Sequence, residues 1–231
     1  MENTKHANGR AHCVRLVPIF NHLDDESMDK IGSMANHNKY ERGELIYQAE
    51  EDSDTLYIIN KGKAKIYKLN ENGKEQLIRI LSPGDFTGEW SLFNPGEIHD
   101  NYAEAMVGTE ICMIKREDFD EILEEYPAIS MKLLSEMSKR LSQSEKQTTV
   151  VSSENVASRL AIYLVDLIED HDEPEPVVNL GVARKDIASY LGTTAETISR
   201  KFKELESQGL ITQISSKKIK IHDVDGLITY D

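Results

Sequence analysis

Apolar and polar positions alternate in short runs through the first half of the chain, and recur every three to four residues through much of the second. Between Gly43 and Lys115, residues 56–60, 64–69, 76–81, 102–107 and 110–114 read as strands, because alternation assigns successive side chains to opposite faces. Asn72-Gly73 lies between two of these runs as a hairpin signal, and Pro83-Gly84-Asp85 punctuates the end of the next. Short strands at such regular spacing predict a barrel or roll. Ahead of them, residues 24–35 read as a helix capped by Asp24 or Asp25, with Met28, Ile31, Met34 and Ala35 at helical spacing. That helix is expected to pack beside the roll.

The second half changes period. Pro127 can occupy the first turn of a helix, and no further proline or glycine appears before Pro174, which admits unusually long helical structure. Leu134, Met137, Leu141, Ser144, Thr148 and Val151 alternate three and four apart, the spacing of a two-helix seam, although its C-terminal half is polar. The same pattern describes an amphipathic helix lying on its own domain, and spacing alone does not choose. Ser152-Ser153 offers a break or N-cap before Val156, Leu160, Leu164 and Leu167 begin a new amphipathic helix. Residues 171–176 hold two prolines and form a polar loop. There is no internal repeat or low-complexity tract. The expected organisation is α+β in three parts: residues 1–126, 127–152 and 153–231.

Residues 184–192 followed by 193–200 read as helix, glycine turn, helix, with Ile187, Ala188, Leu191, Ile198, Phe202 and Leu205 supplying a shared core. Thr194 as N-cap puts Glu196, Ser199 and Arg200 in the first two turns, the part of a recognition helix that reaches base edges in the major groove. Arg can bond guanine bidentately and Glu can accept from cytosine. Thr197 and Lys203 complete the candidate DNA-facing set on this helix. Downstream, residues 210–214 and 219–222 flank Ser215-Ser216-Lys217-Lys218, a hairpin whose basic tip, Lys217 and Lys218, can touch phosphate. The combination is a winged helix-turn-helix, and its expected target is double-stranded promoter DNA.

Charge qualifies that reading before supporting it. The chain carries a net −14, which repels phosphate. Residues 177–222, however, hold eight Lys and Arg against four Asp and Glu, leaving 19 against 37 for the rest. The basic charge is concentrated where the helix-turn-helix lies.

Hydrophobic residues make up 39% of the chain, with no apolar run near the roughly 20 residues that span a bilayer. Residues 1–11 lack the apolar stretch of a signal peptide, so no membrane partner and a cytoplasmic location are expected. In that compartment the two cysteines, Cys13 and Cys112, are ordinarily reduced, and a bond between them would be regulatory. Neither paired catalytic carboxylates nor a convincing metal-ligand set appears, so neither an enzyme nor a metal site is expected. A β-roll scaffold or enzyme without DNA function is the alternative from another class.

The chain resembles the CRP/FNR regulators from about Cys13 to His222. Gly192-Thr-Thr-Ala-Glu-Thr-Ile-Ser-Arg200 is similar to that family's recognition helix, and its Glu-Thr-Ile-Ser-Arg form to the FNR branch more than the CRP branch. Gly62, Gly84-Asp85, Gly88-Glu89 and Leu92 resemble the turn positions of the family's cyclic-nucleotide-binding-type roll. The resemblance implies that the helix near 127–151 is a homodimer seam, that the sites are FNR-like palindromes with half-sites resembling TTGAT, and that RNA polymerase is a partner.

Family members that bind cyclic AMP carry Arg-Ser-Ala where this chain has Asn101-Tyr102-Ala103, so the phosphate anchor is missing and cyclic AMP is not expected as effector. Glu89, which would hold the ribose, is expected to be structural. The FNR branch is known for an iron–sulfur cluster, which ordinarily needs four thiolates. With two cysteines and a lone His12 beside Cys13, that ligand set is incomplete, and no cofactor is expected. Cys112 resembles the branch's central cysteine. Together Cys13 and Cys112 look like the pair in FNR-like regulators of Gram-positive bacteria that switch by thiol oxidation. The alternatives are two inert thiols, or an unidentified small-molecule or metal effector.

Overall fold

The computed structural model describes residues 13–52, 54–170 and 173–230. The expectations for His12, for residues 1–11 and for positions 171 and 172 lie outside these. The chain divides into two compact units, Met1–Arg140 and Leu141–Asp231.

In the first unit a helical turn over residues 13–16 precedes α1 (Asp25–Met34), β1 (Asn36–Tyr40), β2 (Leu45–Tyr47), β3 (Thr55–Lys61), β4 (Ala64–Leu69), β5 (Glu75–Leu81), β6 (Phe86–Thr87) and α2 (Glu89–Phe93). Then come β7 (Tyr102–Ala105), β8 (Thr109–Lys115), α3 (Arg116–Glu125) and the start of α4 (Ala128–Ser153). Asp24 caps α1, its carboxylate accepting from the Ser27 amide at 2.8 Å.

The strands form two four-stranded antiparallel sheets, β1-β8-β3-β6 and β2-β7-β4-β5. Ile59 and Ile111 of the first sheet share one core with Ile46, Ala64, Ile66, Leu81 and Ala103 around the second, which closes the roll. The next residues along the chain face the other way. Ile58 and Cys112 point out of the roll into a second core with Val14, Val17, Ile19 and Phe20, with Ile31 of α1, Phe119 and Ile122 of α3, and Ile129 and Leu133 of α4. The central strands β3 and β8 of the first sheet are therefore buried on both faces, and helices cover the outer one.

The five strands expected from alternation are present to within two residues at their ends. Three others, β1, β2 and β6, left no alternating signature. In β1 four of the five residues of Asn36–Tyr40 are exposed, because it is a sheet edge, and β6 has only two residues. At Gly62 the chain needs a residue without a side chain, since φ is +90° and a Cβ would sit 2.5 Å from the Gly108 carbonyl oxygen.

The second unit holds the rest of α4, then α5 (Val156–Val165), β9 (Val177–Asn179), α6 (Arg184–Tyr190), α7 (Ala195–Ser207), β10 (Ile211–Gln213), β11 (Lys218–Ile221) and α8 (Val224–Ile228). The sheet order is β10-β11-β9. Helix α4 ends at Ser153 and α5 begins at Val156, so the break falls just after the expected Ser152-Ser153, and neither serine is the cap. The cap of α5 is Asn155, whose side-chain oxygen accepts from the amides of Ala157 and Ser158 at 2.8 and 3.2 Å. Serine hydroxyls inside α4 instead bond back to the helix, as Ser153 does to the Thr149 carbonyl at 2.9 Å.

Candidate nucleic-acid interface and sensor core

Helix α6 ends at a turn in which Gly192 adopts φ +68°, the left-handed conformation that glycine reaches without penalty. Thr194 then caps α7: its hydroxyl accepts from the Thr197 amide at 3.2 Å and donates to the Thr197 hydroxyl at 3.0 Å. Ile198, Phe202 and Leu205 are fully buried, which turns the opposite face of α7 outward. Glu196, Ser199, Arg200 and Lys203 are exposed along that face, one turn apart. Glu196, Arg200 and Lys203 form no side-chain ion pair among the described residues, so their charge is available to a ligand. Ser199 donates its hydroxyl to the Ala195 carbonyl at 2.8 Å and keeps only acceptor capacity, while Thr197 is half-buried in the cap.

Arg184 fixes α6 against this helix. Its guanidinium lies 3.6 Å from the Phe202 ring centroid and donates to the Gln213 side chain at 2.7 Å, and Gln213 in turn donates to Glu206 at 2.7 Å. This chain of contacts joins α6, α7 and β10. Backbone and side-chain donors from Gln213 hold the Glu206 carboxyl below its ordinary pKa, so the acceptor stays ionised. Sequence reading placed Arg184 at the start of the first helix and in the basic segment, and gave it no partner. At the tip between β10 and β11, Lys217 and Lys218 are exposed, and their amides donate to the Ser215 hydroxyl at 3.2 and 3.1 Å.

Of the proposed seam residues, Leu134, Leu141, Ser144 and Thr148 are exposed on α4 and Val151 is half-buried. Met137 is half-buried and packs against the outer core of the roll. Met131 joins Leu134 and Leu141 as exposed apolar side chains at i, i+3 and i+10.

The roll holds a cavity of about 140 Å³ lined by Tyr47, Arg79, Thr87, Glu89, His99 and Asn101 among others. Several of its polar groups bond to one another, while Glu89 Oε2 and His99 Nε2 are buried without a hydrogen-bond partner among the described residues. Tyr47 donates to the Asn101 side-chain oxygen Oδ1 at 2.9 Å and lies 3.0 Å from the Thr87 hydroxyl, and burial raises its pKa so that the phenol stays protonated. Arg79 donates to Glu89 at 3.1 Å, and Arg140 of α4 donates to the same carboxylate oxygen at 2.8 Å. Glu89 thus ties α2 to β5 and to α4. Arg140 also donates to the Phe86 carbonyl at 3.1 Å and lies 4.1 Å from that ring's centroid. His99, its pKa lowered by burial, stacks on Tyr47 with ring centroids 3.7 Å apart. Tyr102 stacks on Tyr67.

Cys13 and Cys112 are both fully buried and joined by a disulfide, with Cα atoms 6.4 Å apart. Cys112 lies on the helix-covered face of β8, where the turn over residues 13–16 meets it. On the same face His37 stands opposite Cys112 in the β1–β8 ladder, its Nδ1 3.3 Å from Cys112 Sγ. Sequence reading missed His37, because its neighbour is 75 positions away and only strand register joins them.

Residues 37–126 match the family described as Cyclic nucleotide-binding domain, and residues 158–230 that described as Crp-like helix-turn-helix domain. The chain is 33% identical over 215 residues to the probable transcriptional regulator flp of Lacticaseibacillus casei, covering 93% of this chain and 96% of that protein. It is 30% identical over 192 residues to the cAMP-activated global transcriptional regulator CRP of Salmonella typhimurium, covering 81% and 90%. Among solved structures, FixK2 from Bradyrhizobium japonicum superposes with a TM-score of 0.72 at 25% identity, covering 84% of this chain and 95% of that one. No helix among the described residues is long and apolar enough to cross a membrane.

Proposed function

The chain belongs to the CRP/FNR family of DNA-binding transcription regulators, and on that premise we propose that it acts as a homodimer on FNR-like palindromic sites and is switched by the Cys13–Cys112 disulfide. The observation that carries the DNA reading is the outward face of α7, where Glu196, Ser199 and Arg200 are exposed on a helix whose other face is fully buried. Arg200 reads the guanine of a TTGAT-like half-site, and Glu196 the opposing cytosine. Ala195 takes the outer position and has no group to bond a base. Lys217 and Lys218 contact phosphate, and the bound dimer contacts RNA polymerase.

Homodimerisation is supported by Met131, Leu134 and Leu141, which are between 61% and 69% exposed in the single chain. A partner helix would cover such a stripe. Two-fold symmetry sets the half-sites about one helical turn, roughly 34 Å, apart.

Cyclic AMP is not the effector in this reading. Arg79 is the cation lining the cavity, and Glu89 already engages it. The cavity of about 140 Å³ is also below the roughly 300 Å³ at which ligand pockets begin. The signal instead acts at the cysteines. Two thiols pass two electrons and two protons to an oxidant such as a small-molecule disulfide, which leaves as two thiols, and the bond formed seats residues 13–16 on the core that also holds Ile129 and Leu133 of α4. A seated α4 presents a pre-organised seam, so the oxidised dimer binds DNA more tightly.

Titrating the oxidised chain into a labelled FNR-type palindrome tests the DNA reading. Two chains per duplex and a preference of at least about 10³ over random DNA are expected. One chain per duplex, or no sequence preference, would overturn it.

A further inference from the structure

We propose that Cys13, His37 and Cys112, with both thiols reduced, form a binding site for zinc. The donor atoms of the three residues all lie within 4.8 Å of one another. His37 and Cys112 are directly opposed in the β1–β8 ladder, the arrangement in which two side chains share a face with Cβ atoms about 4.5–5.5 Å apart. Zinc bound at about 2.3 Å to sulfur and 2.0–2.1 Å to nitrogen in a tetrahedron separates adjacent ligands by roughly 3.5–3.8 Å. His37 Nδ1 is already 3.3 Å from Cys112 Sγ. On reduction the two sulfurs must part to that same edge. With Cα atoms 6.4 Å apart, side-chain rotation supplies the change.

The donor set selects the ion. Two thiolates and one imidazole suit a borderline-soft d¹⁰ cation, and they fall short of the four thiolates of an iron–sulfur cluster. Both cysteines are fully buried, so an uncompensated charge there would be costly. Zinc with two thiolates carries no net charge, and binding releases the two thiol protons. His37 is exposed, which opens the fourth position to water.

Zinc and the disulfide use the same sulfurs and exclude each other. When a small-molecule disulfide oxidises the loaded site, the two thiolates give up two electrons and bond to each other. The oxidant leaves as two thiols, taking up two protons, and the zinc ion departs. In the reduced protein zinc takes over the disulfide's task of holding residues 13–16 to β8. The inference rests on the two thiols of the proposed switch, but its readout is metal stoichiometry rather than DNA affinity, so either can fail alone.

The test titrates zinc into the reduced, full-length chain in competition with a chromophoric chelator. One zinc per chain is expected, with none at this site after oxidation by glutathione disulfide, a comparison that needs no substitution. Cys112→Ser should lose the site. His37→Ala, an exposed position, should bind at least about tenfold more weakly yet still form the disulfide on oxidation. Cobalt(II) added as a probe should give thiolate charge-transfer bands and the intense d–d bands of tetrahedral coordination. Failure of the reduced wild type to take up zinc would overturn the proposal. So would equal uptake by the oxidised and reduced forms, or a His37→Ala affinity equal to wild type.

Discussion

Reducing the Cys13–Cys112 bond should destabilise the N-terminal unit by an amount that follows from the length of chain the bond encloses. The two cysteines are 99 positions apart, and closing a loop of that length removes about 4 to 5 kcal/mol of chain entropy from the unfolded state. At roughly 2–4 °C per kcal/mol for a unit of this size, the midpoint should fall by about 8–20 °C. Trp90 is the single tryptophan and lies in this unit, so its fluorescence follows the relevant transition during heating or urea unfolding. The reduced sample should contain a chelator, to keep zinc from replacing the bond. Oxidised Cys13→Ser and Cys112→Ser should behave like the reduced wild type. A difference below about 1 kcal/mol between oxidised and reduced wild type would refute the loop-closure reasoning.

The interface yields three further expectations. Arg200→Ala should cost about 1 to 3 kcal/mol of DNA affinity and relax preference at the guanine, measured by anisotropy on duplexes varied at that base; equal weakening on every sequence would make Arg200 a phosphate contact. Replacing Lys217 or Lys218 by Ala should lower the salt slope of binding by about one each and leave the preferred sequence unchanged, which a series of titrations across ionic strength reads directly. Leu141→Glu should weaken the dimer by at least about 3 kcal/mol, since two symmetry-related leucines leave the seam, and DNA binding should fall with it. Sedimentation checks the dimer, and a variant still dimeric at nanomolar concentration would move the seam elsewhere.

What the sequence made legible was local. The glycine turn at Gly192, the cap at Thr194 and the buried Ile198, Phe202 and Leu205 lie within a few residues of one another, so period and turn chemistry sufficed to read the helix-turn-helix. The roll was legible where strands alternate. It was not legible in β1, an exposed polar edge, nor in the meaning of Ile111 and Cys112, adjacent residues buried in different cores because both faces of β8 are covered. Met137 shows the limit of spacing. Heptad position put it on the seam and did not show that its side chain also packs against the outer core. The contacts that link the sensor core are all long-range: Glu89 with Arg140, His37 with Cys112 and Cys13 with Cys112. Such pairs are fixed by strand register and by the crossing of elements, which a one-dimensional pattern does not carry.

The central claim is that a bond inside the roll sets affinity at the recognition helix. It is tested most directly by the affinity of one chain preparation for one FNR-type palindrome, measured oxidised and then reduced in the presence of chelator, alongside Cys13→Ser and Cys112→Ser. The oxidised wild type should bind at least about tenfold more tightly than the reduced, a difference of about 1.4 kcal/mol, and neither variant should respond to oxidant. Equal affinity of the two wild-type states, or a redox response retained by both variants, would contradict the account.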